Sequence, residues 1–426
     1  MVDSAVLQRG IEPALRHALG TFRVVVLQGP RQSGKTTLAR RIVGGGTFFS
    51  LDDPALLPLA LDDPTGLIAD RARPVIIDEV QRGGDDLVRA VKLAVDSDPS
   101  PGGFLLTGST SFLTVPVLSE SLAGRAVFLD LAPFSQLEIA RSDAGLLSVV
   151  LDALTRGTAS SAGSRLLEAP PSTVTQLEYA QRICSGGYPE AIGLSDADRG
   201  LWFSAYVHTA VTRDVVEFTG ARRSSELPRL LRAIAARTAG ELVMADLHRD
   251  LEFGSIETTA DYLSYLEMTH LVARLPGWAT GAATRAKKRS KVHVTDTGLA
   301  AAMLGVTAAS LSNPTAASRG ALHESFAVNE LRRQAAAIAP DLRFSHYRDS
   351  RGREVDLLIE RPDGRFIAVE VKAGATVRPA DAKWMAWLRD LVGDRFELGI
   401  VLHTGRQPIR LSERIFALPL SFLWEL

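Results

Sequence analysis

The spacing of apolar residues changes three times along this chain. The first third carries short unbroken apolar runs: Arg23 to Gln28 (RVVVLQ), Pro74 to Ile77 (PVII), Gly103 to Thr107 (GFLLT) and Ala126 to Leu131. Runs of this length without alternation predict strands buried on both faces, as in a parallel sheet covered by helices. A helix-favouring run, Thr37 to Val43, follows the first strand. In the middle the spacing becomes helical. Leu201 to Phe218 places Trp202, Tyr206, Ala210 and Val215 on one face, and Gly145 to Arg156 also reads as helix. Val243 to Leu251 and Ser255 to Leu266 predict two short helices, the second with Ser255 as N-cap and Glu257 in its first turn. His270 to Leu275 and Lys291 to Thr295 predict a strand pair. The last third opens with an amphipathic helix, Gly320 to Gln334, with Leu322, Phe326, Val328 and Leu331 apolar. Strands are predicted over Phe344 to Arg348, Arg353 to Ile359 and Phe366 to Lys372, with Pro362-Asp363-Gly364 turning between the last two.

These shifts divide the 426 residues into an α/β module over 1–140, a connector over 141–174, a largely helical module over 175–312 and a C-terminal α/β module over 313–426. The Ser-, Ala- and Gly-rich stretch from Ser142 to Ser172, with Pro170-Pro171 near its end, predicts a mobile connector after its first helix. Hydrophobic residues make up 46% and charged residues 23%, enough apolar surface for sizeable cores. The single cysteine, Cys184, excludes a disulfide within the chain and a multi-cysteine zinc site, and fits a small buried residue in a reducing, cytoplasmic protein. Asp3, Arg9 and Glu12 interrupt any apolar leader, and no apolar run spans a bilayer. Net charge is −1, so contact with nucleic acid requires local basic patches.

Chemistry enters with Gly29-Pro30-Arg31-Gln32-Ser33-Gly34-Lys35-Thr36, followed by Thr37. Strand, GxxxxGK[ST], helix is the P-loop pattern, in which loop N–H groups and the helix N-terminus cradle phosphate. Lys35 is placed to reach the β- and γ-phosphates of ATP and Thr36 to ligate Mg²⁺. Gly29 and Gly34 leave room for close approach. The second strand delivers Asp78 and Glu79 at its end. Asp78 suits Mg²⁺, and Glu79 suits polarisation of the attacking water. The third strand ends in Gly108-Ser109-Thr110, where Ser109, with Thr107 second, suits a polar sensor of the γ-phosphate. Arg125, in Ser121-Leu122-Ala123-Gly124-Arg125, either stabilises transferring charge, in cis or from a neighbouring subunit, or pairs with a surface acid.

GPRQSGKTT, VIIDEVQR, LLTGST and SLAGR, in this order, resemble the P-loop module of AAA-type ATPases, in a prokaryotic branch where that module precedes a domain of unknown function. The resemblance implies an ATPase with Lys35 and Thr36 at phosphate and magnesium and Asp78 and Glu79 at Walker B. It also raises Arg125 to an arginine-finger or sensor candidate. Three further stretches resemble this branch: Leu51-Asp52-Asp53-Pro54, Gly186-Gly187-Tyr188-Pro189-Glu190, and Lys291 to Leu299 (K-x-x-x-x-D-x-G-L). The GGYPE stretch reads as purely structural, and Asp296 reads as a helix cap. Arg213-Asp214 reads as a core ion pair or an intersubunit contact.

Two helices followed by two strands form a winged-helix pattern. Arg285, Lys287, Lys288, Arg289 and Lys291 put five positive charges at its wing, enough to contact several DNA phosphates. The second of these helices and its end carry Glu257, Asp261 and Glu267 and no Lys or Arg, which disfavours base reading and leaves a protein-packing role open. In the last module Asp356 precedes Glu370 and Lys372, with Glu324 on the helix before them. Residues two apart on a strand share a face, so Glu370 and Lys372 point together. This D…ExK arrangement resembles the PD-(D/E)XK nuclease core, with Val355 where a proline often stands. It implies Glu324, Asp356 and Glu370 as Mg²⁺ ligands and Lys372 as the residue that activates water.

Two readings follow. One is an oligomeric ATPase acting on DNA, with Mg²⁺-dependent nuclease activity at its C-terminus. The other is a nucleotide-switched regulatory or scaffolding ATPase with an inactive nuclease-like domain. A small-molecule kinase fits less well, because of the Asp-Glu pair, the sensor strand and the extra modules.

Overall fold

The computed structural model describes residues 7–110, 122–157, 159–211, 226–279, 281–285 and 288–426. Five strands, β1 (Val24–Gln28), β2 (Thr47–Ser50), β3 (Val75–Asp78), β4 (Phe104–Gly108) and β5 (Ala126–Asp130), form a parallel sheet in the order β2-β3-β4-β1-β5. Successive residues of β1 serve opposite faces. Val25 and Leu27 pack with helices α1 (Glu12–Thr21) and α2 (Lys35–Ile42), while Val24 and Val26 pack towards α3 (Gly84–Ser97). Burial on both faces explains the unbroken apolar runs. All five strands run the same way, so Ser50, Asp78, Gln28 and Asp130 gather at one edge of the sheet.

The helical region includes α4 (Gln136–Ala140), α5 (Leu146–Arg156), α6 (Ala159–Leu167), α7 (Gln176–Ser185) and α8 (Asp196–Tyr206). The stretch expected to be a mobile connector contains α6, whose Ala162 and Leu166 are buried. Gly163 lies so close to the Phe416 ring that a Cβ would strike it. Small residues here serve close packing, which composition alone does not distinguish from looseness. After α8 the chain continues as one π-helical turn, Val207–Val211. Arg213, Asp214 and Val215 lie outside the described residues.

Further on come α9 (Leu227–Ala235), β6 (Gly240–Glu241), α10 (Met244–Leu251), α11 (Ile256–Met268), β7 (Val272–Leu275) and β8 (Lys291–Val294). Ser255 caps α11, its hydroxyl accepting from Thr258 N–H at 3.2 Å. The three strands pair antiparallel in the order β6-β8-β7. Then follow α12 (Thr297–Leu304) and the long α13 (Arg319–Ile338).

The C-terminal sheet holds β9 (Arg343–Arg348), β10 (Glu354–Glu360), β11 (Phe366–Lys372), β12 (Phe396–His403), β13 (Ile409–Ser412) and β14 (Ile415–Pro419), in the order β13-β14-β12-β11-β10-β9. One face, with Leu357, Ile367, Val369 and Ile400, shares a single core with the helical region. The other face, with Val355, Leu358 and Phe366, packs on Trp278 and α14 (Lys383–Val392). The helical and C-terminal regions are thus bound by common apolar burial, the dominant favourable term in such contacts. Among the described residues no helix is long and apolar enough to cross a membrane.

Candidate functional site

The loop between β1 and α2 turns on Gly34, in the left-handed region at φ 96°. Gly29 has a different cause from the one its motif suggests: a Cβ there would strike the carbonyl of Leu131, where β5 runs on beside the loop. Leu131 N–H donates to Gln28 O at 2.7 Å, fixing that approach. The Lys35 ammonium is buried and donates to the carbonyls of Gly29 at 3.0 Å and Pro30 at 2.9 Å. It therefore lies folded over the phosphate cradle.

Asp78 is buried at the end of β3. Thr36 Oγ1 lies 3.0 Å from each of its carboxylate oxygens, and Ser50 Oγ donates to Oδ2 at 3.2 Å. Thr107 Oγ1 donates to Oδ1. So Thr107 touches Asp78 directly, whereas Ser109 stands one step outward, 3.4 Å from Gln81 Nε2. The same amide donates to Glu79. Glu79 adopts φ 54°, a left-handed conformation uncommon for a residue with a side chain, which turns its carboxylate away from the strand. Hydroxyl and carboxylate oxygens are hard donors, and the Thr36–Asp78 pair fits Mg²⁺. Sequence reading missed Ser50 and Gln81. Ser50 is one register step across from Asp78, which only the strand pairing reveals.

A cavity of about 530 Å³ opens beside this loop, lined on one side by Arg31, Lys35, Thr36 and Glu79. Arg9, first read only as a break in a leader, braces the back of the loop. Its guanidinium donates to Ser33 O at 2.8 Å and Ala132 O at 2.5 Å, and pairs with Glu138 at 3.1 Å. Pro189, Glu190, Tyr206 and Thr209 line the cavity from the helical region. Tyr206 OH donates to Arg31 O at 3.3 Å and lies 3.0 Å from Tyr188 OH. Trp202 stacks on Tyr206 at 5.2 Å and donates its indole N–H to Glu190 at 3.1 Å.

The GGYPE stretch is therefore more than the structural turn its sequence suggested. Its proline and glutamate line the cavity, while its glycines anchor it behind. Gly187 N–H donates to Asp296 at 2.7 Å, and Phe134 N–H donates to Gly187 O at 2.7 Å. A Cβ on Gly186 would strike Asp296, and one on Gly187 would strike the Phe134 carbonyl. Asp296 also caps α12 through Leu299 N–H at 3.1 Å, as expected, and pairs with Arg333 at 3.3 Å. Arg333 reaches on to Phe134 O at 3.0 Å and Glu330 at 3.2 Å, and Glu330 accepts from Gln136 N–H at 2.7 Å. Burial pushes the Glu330 carboxyl up to about 7, with Arg333 and the Gln136 N–H opposing that shift. This polar network joins the end of the first module to all that follows.

Arg125 does not reach the cavity. It precedes β5, whose register with β1 puts it at the sheet edge opposite the phosphate loop. Its guanidinium grips Asp96 through Nε at 2.6 Å and Nη2 at 3.0 Å. In this structure its side chain is engaged with Asp96 and not with the phosphate loop.

The C-terminal carboxylates do converge, but around an ammonium. Lys291 Nζ lies 2.6 Å from Glu324, 2.8 Å from Glu354 and 3.2 Å from Asp356, with its side chain 1% exposed. Lys291 therefore makes no phosphate contact at a surface; β8 carries it inward. Asp356 Oδ2 accepts from Val371 N–H at 2.9 Å, and Glu370 pairs with Lys372 at 2.8 Å. Burial, with Asp356 adding to it, pushes Glu370 up to about 8 against the pull of Lys372. Among the described residues no group of three or more His, Cys, Asp or Glu is arranged to hold a metal. The expected Mg²⁺ set of Glu324, Asp356 and Glu370 does not fit: Lys291 fills the space between Glu324 and Asp356. Glu354 and Lys291 are the members that sequence reading did not place here.

The basic segment is also partly consumed internally. Arg285 pairs with Glu360 at 3.0 Å, and Lys288 donates to Arg348 O at 2.8 Å. Arg289 is exposed, and Lys287 lies outside the described residues.

Three family models match the chain: an AAA domain over residues 21–140, a domain of unknown function (DUF8612) over 176–310, and another (DUF4143) over 319–423. The uncharacterized proteins Rv2008c of Mycobacterium tuberculosis and Mb2031c of Mycobacterium bovis are each 30% identical over 421 residues. That match covers 97% of this chain and 83% of each relative. Among solved structures, the Walker-type ATPase PABY2304 of Pyrococcus abyssi is 18% identical over 69% of this chain and 94% of its own, with a TM-score of 0.41. A RuvB variant of Thermotoga maritima is 21% identical over 63% and 90%, with a TM-score of 0.30. With its Walker loop intact and its AAA module followed by two domains of unknown function, the chain belongs to the family of these mycobacterial proteins and is an AAA-type ATPase.

Proposed function

We propose that this ATPase is a nucleotide-driven cytoplasmic switch, in which ATP binding and hydrolysis at the P-loop reposition the helical and C-terminal regions. The observation that carries this reading is the shared cavity. Its phosphate side belongs to the AAA module, and its far wall, Pro189, Glu190 and Tyr206, belongs to the region beyond.

ATP enters with its phosphates against residues 29–37, where backbone N–H groups and the start of α2 favour negative charge. Lys35 leaves the carbonyls of Gly29 and Pro30 for the phosphates. Thr36 and Asp78 would hold Mg²⁺, which when bound offsets the phosphate charge. Glu79 accepts a proton from the attacking water, oriented by Gln81, and Ser109 reads the γ-phosphate through the same amide. Because Tyr206 bonds to the carbonyl of Arg31 inside the loop, any shift of the loop on phosphate binding is felt at Tyr206, Trp202 and Tyr188. Tyr206→Phe removes the hydroxyl contacts to Arg31 and Tyr188. It should leave ATP binding within about twofold yet abolish the nucleotide-dependent change in protease sensitivity of the helical region. A variant that still switches like the parent sinks this coupling.

Action on DNA is a second reading, supported by a basic rim. Lys288 bonds to the backbone of Arg348, and Arg289 and Arg351 are exposed nearby on the adjoining segments. The rim is smaller than the sequence suggested, since Lys291 has left it. DNA that raises ATP turnover, with a stimulation that falls steeply with salt and is lost in Arg289→Ala/Arg351→Ala, would favour this reading.

A further inference from the structure

We propose that Lys291 is the resident cation of the C-terminal carboxylate cluster, so that this site takes no divalent metal and works as a buried ionic joint between the helical and C-terminal regions.

Four features of the geometry carry the proposal. A lysine ammonium has three N–H donors, and here three carboxylates surround it at hydrogen-bonding distance, from Glu324, Glu354 and Asp356. Its donors are thus spent with none left over. Second, the other Asp356 oxygen is taken by the Val371 N–H, and Glu370 is turned to Lys372. Mg²⁺ requires about six oxygens in a near-octahedral shell at roughly 2.1 Å. Oxygens already committed to an ammonium and an amide cannot form that shell without displacing Lys291. Third, Lys291 does not hang from a mobile loop. It starts β8, opposite Leu275 in β7 and Glu241 in β6, so two neighbouring strands fix its backbone. Fourth, the partners come from elsewhere: Glu324 from α13, and Glu354 and Asp356 from β10. One side chain therefore ties the small β6-β8-β7 sheet to the large C-terminal sheet. Burial and the neighbouring carboxylates hold Glu324 well above the usual carboxylate range against the pull of Lys291, the behaviour of acids sharing one positive charge.

Lys291 thus explains the first position of the K-x-x-x-x-D-x-G-L stretch, as Asp296 explains the sixth. The lysine locks the helical region to the C-terminal sheet, and the aspartate locks it to the GGYPE wall of the nucleotide cavity.

Mn²⁺ binding to the nucleotide-free full-length chain, counted by electron paramagnetic resonance of the free ion, tests this directly. The parent and Asp356→Asn should bind equal numbers of ions, and Mn²⁺ in place of EDTA should shift the melting temperature of both by the same amount. Lys291→Met should lower the melting temperature by several degrees and gain about one Mn²⁺ per chain, a gain erased by adding Asp356→Asn. One ion more in the parent than in Asp356→Asn, or Mn²⁺-dependent plasmid nicking by the parent that Asp356→Asn abolishes, would overturn the proposal. So would a Lys291→Met chain that melts like the parent. If Lys291→Met does not fold, the parent and Asp356→Asn comparison still decides.

Discussion

Glu79 and Lys35 divide the work of the nucleotide site, and substitution should separate their parts. Glu79→Gln keeps the shape and the Gln81 contact but removes the base. It should cut ATP turnover by about 100-fold or more while leaving ATP binding near the parent value. Lys35→Ala should weaken both. Equal losses of binding and turnover in Glu79→Gln would contradict the division. His323, buried in α13 with Nδ1 donating to Arg319 O at 2.7 Å, gives a pH signature. Burial depresses its pKa from the ordinary 6.5 to about 4. A folded pKa below the unfolded one means that stability is fully present above pH 6.5 and drains away as pH falls towards 4. The loss should total about 3 kcal/mol, and His323→Gln should flatten it in melts run from pH 7.5 to 4.5. At this scale the sequence was most readable where a motif encodes backbone geometry, as at residues 29–36. It was least readable at Lys291, because an apparent run of surface charge gives no sign that one member points inward to acids distant in the chain.

At the level of elements, strands buried on both faces were legible from their unbroken apolar runs, and the helices and strands over residues 243–275 and 320–372 followed from spacing, whereas β6 and the elements after Lys372 were not read. What spacing does not carry is which elements touch. Two of the three family-like stretches, GGYPE and the one ending in Asp296-Thr297-Gly298-Leu299, interlock: a Cβ on Gly298 would press on the backbone of Ser185 and Gly186. Gly187→Ala, set against the Phe134 carbonyl, should destabilise the fold by about 1–3 kcal/mol, as overpacking does, and lower ATP turnover with it. A melt unchanged from the parent would mean that this joint is looser than its geometry implies.

For the whole molecule, the shared core of the helical and C-terminal regions makes them one mechanical body, joined to the AAA module through Arg333, Glu330, Asp296 and the Tyr206 contact. Arg125 is tied to Asp96 and does not line its own cavity, so a part in hydrolysis is tested as a contribution from a neighbouring copy. If subunits assemble with ATP between them, specific activity should rise with protein concentration. Arg125→Ala should then remove that rise while sparing ATP binding; activity independent of concentration would confine hydrolysis to single chains. The most direct test of the switch is hydrogen exchange of Gly186 to Val211 in Glu79→Gln, with saturating ATP and then with ADP. The account predicts slower exchange with ATP than with ADP, centred on Tyr188 to Tyr206. Identical exchange in the two nucleotides, with binding of both demonstrated, would contradict it.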